Sequence, residues 1–260
     1  MKTVILCGGQ GTRIRNVAED IPKPMIPIGG RPILWHIMKA YAAAGYEEFI
    51  LCLGYKSAVV KDFFLNYETY AQDFTITLGP NRNIDVHGDE IEADWRITLA
   101  ETGLKAMTGA RIKQIEKYIG EDEHFMLTYG DGVSDVPIGE LEKFHLAHGK
   151  VLTVTGVRPP GRFGEMEMEP NGKVTEFNEK PQTSGGLISG GFFVCRRDIF
   201  DYLNDDISLI FEKSPMRHLV SDGELMVYEH DGFWQCMDTP RDFELLSGLW
   251  DSGEAQWKTW

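Results

Sequence analysis

The sequence predicts an α/β fold: a Rossmann-like central sheet, mixed but mostly parallel, flanked by helices and carrying an inserted β-hairpin. Three observations predict it. Short apolar runs alternate with amphipathic stretches through the first two thirds of the chain, the pattern of successive βα units. The first run ends in a glycine-rich loop, Gly8-Gly9-Gln10-Gly11. Beyond Pro159 the pattern becomes that of antiparallel pairs, which makes the sheet mixed.

Taken in order, residues 3–7, 48–53, 125–129 and 151–157 are compact apolar runs of strand length. Helices fall between them. Residues 33–44 place Leu34, Ile37, Met38 and Tyr41 on one face and stop at Gly45, and 57–66 do the same with Val59, Val60, Phe63 and Phe64. Thr108 is read as the N-cap of a helix to residue 119, and 138–148 ends at Gly149. Residues 165–169 and 173–177 flank a Pro170-Asn171-Gly172 turn and predict an antiparallel pair. Strands at 192–195, 225–229 and 232–235 complete the mixed sheet, followed by a helix over 240–250.

Residues 74–101 alternate in character (Phe74, Ile76, Leu78; Ile84, Val86; Trp95, Ile97, Leu99) around an acidic turn, Gly88-Asp89-Glu90. They predict an inserted hairpin that packs on its own domain or reaches a neighbouring subunit. The tail over 240–260, with Trp250, Trp257 and Trp260, admits the same two readings. The whole of 1–260 is read as one domain.

A domain of 260 residues buries roughly 70–75% of its unfolded surface and needs no disulfide or metal to hold its core. Cys7, Cys52, Cys195 and Cys236 are widely spaced, so reduced thiols in a cytoplasmic protein are expected. No export leader or membrane-spanning apolar run stands out. A net charge of −14 argues against nucleic acid or an anionic membrane as partner. A phosphate site in so acidic a chain must gather its own cations, and Arg13, Arg15 and Lys23 lie in one short stretch.

The loop reads as a phosphate cradle: glycines at a strand end turn backbone N–H groups toward anionic oxygens. It matches neither the dinucleotide nor the Walker pattern, since Ile14 stands where the former needs glycine and Gly-Lys-Ser/Thr is absent. The alternative is a plain strand-to-helix turn with Arg13 in solvent. Lys23 precedes Pro24, so its backbone is extended and its side chain either reaches across the loop or is solvated. Asp131, between Gly130 and Gly132 after an apolar strand, is a magnesium-ligand candidate or a turn aspartate. Ligands of open α/β sheets bind beyond the carboxyl ends of the strands, so the Gly8 loop, Gly130-Asp131-Gly132 and 158–162 should meet at one edge. His145 and His148 share a helical face and are expected to interact with the helix C-terminus rather than with zinc. No nucleophile triad is present.

These strings resemble a known family. Gly8-Gly9-x-Gly11-Thr12-Arg13 followed by Lys23-Pro24-Met25 is similar to the signature of the sugar-1-phosphate nucleotidyltransferases. The likeness continues through 29–36 (GGRPILWH), 129–132 (YGDG), 159–164 (PPGRFG), 179–181 (EKP), 190–194 (GGFFV), 233–239 (FWQCMDT) and 257–260 (WKTW). Cys7 and Gln10 depart from the family pattern, which has alanine and leucine there.

The resemblance implies the nucleotide-diphospho-sugar transferase fold, and within the family it is strongest to members that join CTP to glucose 1-phosphate with Mg2+. It implies a nucleotide site from Leu6, Cys7, Gly8, Gly9, Gln10, Gly11, Thr12, Arg13, Lys23 and Gly130, with Thr102, Gly103 and Arg111 closing the base pocket. Arg111 is otherwise a basic residue on a helix surface. Asp238 becomes the second metal ligand beside Asp131, or else an N-cap before Pro240. Gly164, Glu179, Lys180 and Gly191 are assigned to the sugar phosphate. Arg13, Lys23 and Asp131 carry the catalysis, and the hairpin builds trimers or hexamers. The same chemistry with UTP or dTTP, or with another sugar phosphate, and a non-catalytic nucleotide-sugar-binding subunit are the alternatives.

Overall fold

The computed structural model describes residues 1–9, 11, 14, 20–88, 92, 94–159, 165–169, 173–178 and 186–260. Its first half runs through β1 (Thr3–Leu6), a 3-10 turn at Lys23–Met25, β2 (Pro27–Ile28), β3 (Arg31–Pro32), α1 (Ile33–Ala43), β4 (Glu48–Leu53), α2 (Ser57–Leu65), α3 (Tyr67–Ala71), β5 (Asp73–Thr77), β6 (Asn83–His87), β7 (Arg96–Glu101), α4 (Thr108–Gln114) and α5 (Glu116–Ile119). The second half comprises β8 (His124–Tyr129), β9 (Gly132–Ser134), α6 (Ile138–His148), β10 (Leu152–Val157), β11 (Glu165–Met168), β12 (Val174–Asn178), β13 (Ile188–Arg196), α7 (Ser214–Ser221), β14 (Leu225–His230), β15 (Trp234–Cys236) and α8 (Pro240–Asp251).

Seven strands form the central sheet in the order β14-β10-β13-β8-β1-β4-β7. β13 runs antiparallel to both its neighbours, while the other pairings are parallel. The sheet is therefore mixed and mostly parallel, as predicted. Strands buried on both faces explain the continuous apolar runs. Along β1, Val4 and Leu6 join Ile50, Cys52 and the α4 residues on one face, and Ile5 joins Leu51, Leu53 and the α1 residues on the other. Among the described residues no helix is long and apolar enough to cross a membrane.

Four expectations are corrected. Residues 108–119 form two helices, and Thr108 lies inside the first rather than capping it. Its hydroxyl accepts from Phe211 N–H (2.9 Å) and donates to Glu212 (2.7 Å). The carbonyls of Ile207 and Leu209 take the N–H groups of Met107, Gly109 and Ala110, so a neighbouring loop does what a capping side chain would do. The insert is narrower than 74–101. β5 and β6 form the hairpin, but β7 pairs parallel with β4 as the edge of the central sheet, because alternation does not say which strand a segment pairs with. The strand expected at 232–235 is β15, and it pairs with β9 in a separate two-stranded ribbon. His145 and His148 do not serve their helix end: their rings bond Thr153 Oγ1 on β10, at 2.8 and 2.7 Å. The pair at 165–178 is antiparallel as expected, while its turn, Pro170-Asn171-Gly172, lies outside the described residues.

The tryptophan tail packs on its own domain. Trp257 is 1% exposed, stacked on Phe233 at 5.6 Å, and its Nε1–H points to His36 Nδ1 at 3.4 Å. His36 Nε2 donates to Ile28 O at 2.9 Å, so both ring nitrogens are used by the neutral imidazole. Burial pulls the His36 pKa down to about 4. The unfolded chain therefore takes up this proton first as pH falls below 6.5, and stability present above that pH is lost toward 4, by up to about 3 kcal/mol. Urea unfolding at pH 7 and pH 5 is expected to show the loss, and His36→Gln, which does not titrate, is expected to reduce the difference.

Candidate active site

The sheet register sets the site. Leu6, Cys52 and Tyr129 stand side by side, as do Cys52 with Ala100 and Leu53 with Glu101. The residues that follow are Gly8, Gly54, Thr102 with Gly103, and Gly130 with Asp131, so these strand ends emerge at one edge. β13 runs the other way and delivers its first residues, including Gly190 and Gly191, to that edge. Arg158, after β10, pairs there with Asp231 and, at 3.6 Å, with Glu229. A cavity of about 230 Å3 opens among Leu6, Gly9, Gly11, Lys23, Gly130, Asp131 and Asp238. A wider surface cleft of about 680 Å3, between Val151, Arg196, Tyr202 and Glu224, holds none of the predicted residues.

Asp131 and Asp238, far apart in sequence, both close on the Lys23 ammonium at 2.5 Å. The β9–β15 ribbon brings them together: Cys236 is opposite Gly132, and Met237 N–H donates to Asp131 O at 2.8 Å. Asp238 is not the N-cap of α8. Thr239 caps that helix, in a reciprocal capping box with Asp242, and Asp242 also accepts from Asp238 N–H at 3.0 Å, so the Asp238 carboxylate is not used for capping and meets Lys23. Burial opposes the Lys23 charge, but Asp131 and Asp238 outweigh it and hold the ammonium above the usual lysine value. Lys23 is 11% exposed, so the solvated-lysine reading fails.

Arg111 is also buried, against the surface-helix reading. It donates to Leu53 O (2.9 Å), Thr102 Oγ1 (2.6 Å) and Gly8 O (3.1 Å), and Thr102 in turn donates to Leu53 O at 2.7 Å. One guanidinium thus ties together the ends of β1, β4 and β7. A Cβ on Gly8 would come within 2.1 Å of it and one on Gly54 within 2.7 Å, so glycine is needed there for close approach. Gly54 was missed, although it carries the same signal as Gly8 and Gly130: a glycine directly after an apolar strand.

Gly191, with φ of 78°, lies against the Tyr129 ring, and Gly190 O accepts from Trp234 Nε1 at 2.7 Å. Tyr129 donates its hydroxyl to Glu212, the same carboxylate that Thr108 reaches. Sequence reasoning missed Glu212, which carries no local motif. Gln10, Thr12, Arg13, Gly164, Glu179 and Lys180 lie outside the described residues.

The surroundings of the two thiols near the site disfavour the thiolate form. Burial pushes Cys7 well above its usual value and, with Asp238 and Asp131 nearby, raises Cys236 to about 11. Among the described residues no group of three or more His, Cys, Asp or Glu side chains is arranged around a metal. The carboxylate pair nevertheless fits a hard divalent cation that takes its remaining ligands from phosphate: two oxygen donors from different chain segments already converge on one cation.

Comparison with known proteins gives the family of the chain. The profile of the nucleotidyl transferase family matches residues 2–244. The chain is 48% identical over 260 residues to the glucose-1-phosphate cytidylyltransferase of Salmonella typhi, and 44% identical over 260 residues to a probable glucose-1-phosphate cytidylyltransferase of Bacillus subtilis, with full coverage of both partners in each case. The crystal structure of HddC from Yersinia pseudotuberculosis complexed with GMP-PN superimposes with a TM-score of 0.67 at 22% identity, covering 96% of this chain and 99% of that one, which shows a shared fold.

Replacing the buried guanidinium tests its structural role. Arg111→Leu leaves the Gly8 and Leu53 carbonyls without this donor and is expected to cost roughly 3 kcal/mol in urea unfolding. A wild-type midpoint would mean that those carbonyls find other partners.

Proposed function

Because the chain belongs to the nucleotidyl transferase family, we propose that it is a cytoplasmic enzyme that transfers the cytidylyl group of CTP to α-D-glucose 1-phosphate, giving CDP-glucose and pyrophosphate. The observation that carries this reading is the meeting of Lys23, Asp131 and Asp238 in the cavity beside the glycine loop. The choice of CTP and glucose 1-phosphate is supported by the full-length likeness to glucose-1-phosphate cytidylyltransferases.

The sugar phosphate is already an anion at neutral pH, so its oxygen attacks the α-phosphorus without a general base. The new P–O bond forms as the α–β bridging bond breaks, and the electron pair leaves with pyrophosphate. The chain's part is alignment and charge neutralisation. Glycine-loop N–H groups face the triphosphate, and Arg111 holds the three strand ends beneath the base in register. Lys23 carries charge to the α-phosphate, Arg13 to the departing pyrophosphate and Lys180 to the attacking phosphate, and Glu179, Gly164 and Gly191 are assigned to the sugar. Asp131 and Asp238 would hold Mg2+, which when bound with the nucleotide neutralises phosphate charge as a Lewis acid.

Self-association is part of the proposal. The β5–β6 hairpin leaves Phe74, Ile76, Leu78 and Ile84 exposed, an apolar surface suited to a second copy in a trimer or hexamer.

Pyrophosphate release from CTP, UTP and dTTP, each with several sugar phosphates, tests the reaction. CTP with glucose 1-phosphate is expected to be fastest, and release with no combination would overturn the enzyme reading. Lys23→Ala is expected to lower turnover roughly 10²- to 10³-fold. Light scattering is expected to find an oligomer that Ile76→Asp with Leu78→Asp reduces to a smaller species.

A further inference from the structure

Lys23 occupies the place where the metal of the proposed reaction belongs. Its backbone is fixed. The residue lies between Pro22 and Pro24 in a tight turn closed by Met25 N–H to Pro22 O (2.8 Å) and Ile26 N–H to Lys23 O (3.1 Å). Its stem lies under the loop, where a Cβ on Gly11 would meet Lys23 Cβ at 3.0 Å. Only the outer side-chain torsions are left to move the ammonium. It lies 2.5 Å from a carboxylate oxygen of each aspartate, in the cavity that Gly9 and Gly11 also line. A divalent ion seated on those oxygens would stand against a positive charge in direct contact with the same two groups. In so enclosed a space the two cations repel strongly, and one must give way.

The carboxylates also make a poor metal site by themselves. Among the described residues no third acidic, histidine or cysteine ligand completes the set, so a divalent ion must take the rest of its shell from phosphate oxygens and water. Those same phosphates are the one partner in the reaction that can draw an ammonium off two carboxylates.

We propose that Lys23 and the divalent metal exchange places. In the nucleotide-free protein the ammonium serves as an internal counter-ion of Asp131 and Asp238. When the triphosphate enters, the ammonium moves to its phosphates and the metal takes the vacated carboxylates. Lys23 thereby enforces the order of assembly: metal binds with or after nucleotide, not before it. This rests on the nucleotidyl-transfer reading above and adds to it the property that the free protein discriminates against metal.

The consequence runs against the usual effect of deleting an active-site residue. Removing Lys23 must strengthen metal binding to the free protein while weakening catalysis. Mn2+ serves as a paramagnetic probe in place of Mg2+, with bound and free ion counted by electron paramagnetic resonance on the full chain without nucleotide. Lys23→Met is expected to bind Mn2+ at least about tenfold more tightly than wild type, since the competing charge is gone. Lys23→Gln, which keeps a polar head, is a second variant with the same expected direction, and Asp131→Asn introduced into either variant is expected to abolish the gain. In wild type, α,β-methylene CTP is expected to tighten Mn2+ binding beyond the nucleotide's own affinity for the ion, and to do so less in Lys23→Met.

Equal or weaker Mn2+ binding by folded Lys23→Met and Lys23→Gln, with nucleotide-dependent binding intact in wild type, overturns the exchange and leaves the reaction standing. Tight Mn2+ binding by wild type without nucleotide overturns it as well. If Mn2+ binds no form even with the CTP analogue present, the metal reading falls and the exchange falls with it.

Discussion

The centre of this molecule is held by one cation shared between two carboxylates. A largely buried ammonium, or a half-buried pair of aspartates, is costly on its own, and in the nucleotide-free protein each offsets the cost of the other. That requirement fixes the relative positions of the 3-10 turn carrying Lys23, the turn between β8 and β9 carrying Asp131 and the segment between β15 and α8 carrying Asp238. Lys23 lies outside the β9–β15 ribbon that brings the two aspartates together. Their meeting therefore reports that the whole edge of the sheet is correctly assembled.

The surrounding architecture shows how the edge is made exact. Arg111 spends its guanidinium on carbonyls rather than on a carboxylate, so it acts as a clamp among backbone segments, and the glycines at 8 and 54 exist in part to let it approach. On the other flank, the β9–β15 ribbon and the capping box at Thr239 set where Asp238 points. Both devices hold the residues of the proposed site through backbone rather than through side-chain packing. This suits a reaction in which alignment and charge do the work.

Much of this was legible in the sequence. The buried parallel strands announce themselves as unbroken apolar runs and α1 by its 3.6-residue spacing. Asp131 stood out between two glycines, and Asp238 through its family motif. What was not legible depends on tertiary partners. A basic residue in a helix reads as surface unless one knows that two carbonyls and the Thr102 hydroxyl wait for Arg111. Alternation in 96–101 suits a hairpin as well as a sheet edge, and only the pairing with β4 decides. A threonine before a helical run suggests a cap, yet the 207–209 carbonyls had already met that need. The contact of Lys23 with both aspartates has no local signature at all.

The β9–β15 ribbon also bears on how the chain comes to life at the ribosome. Residues through Asp131 emerge early and contain the loop, the clamp and most of the strands whose ends form the edge, whereas the partner strand of the ribbon emerges only after β13 and β14 have been made. A nascent chain at that intermediate stage has Lys23 and one aspartate without the second. The proposed reaction centre is thus completed late in translation.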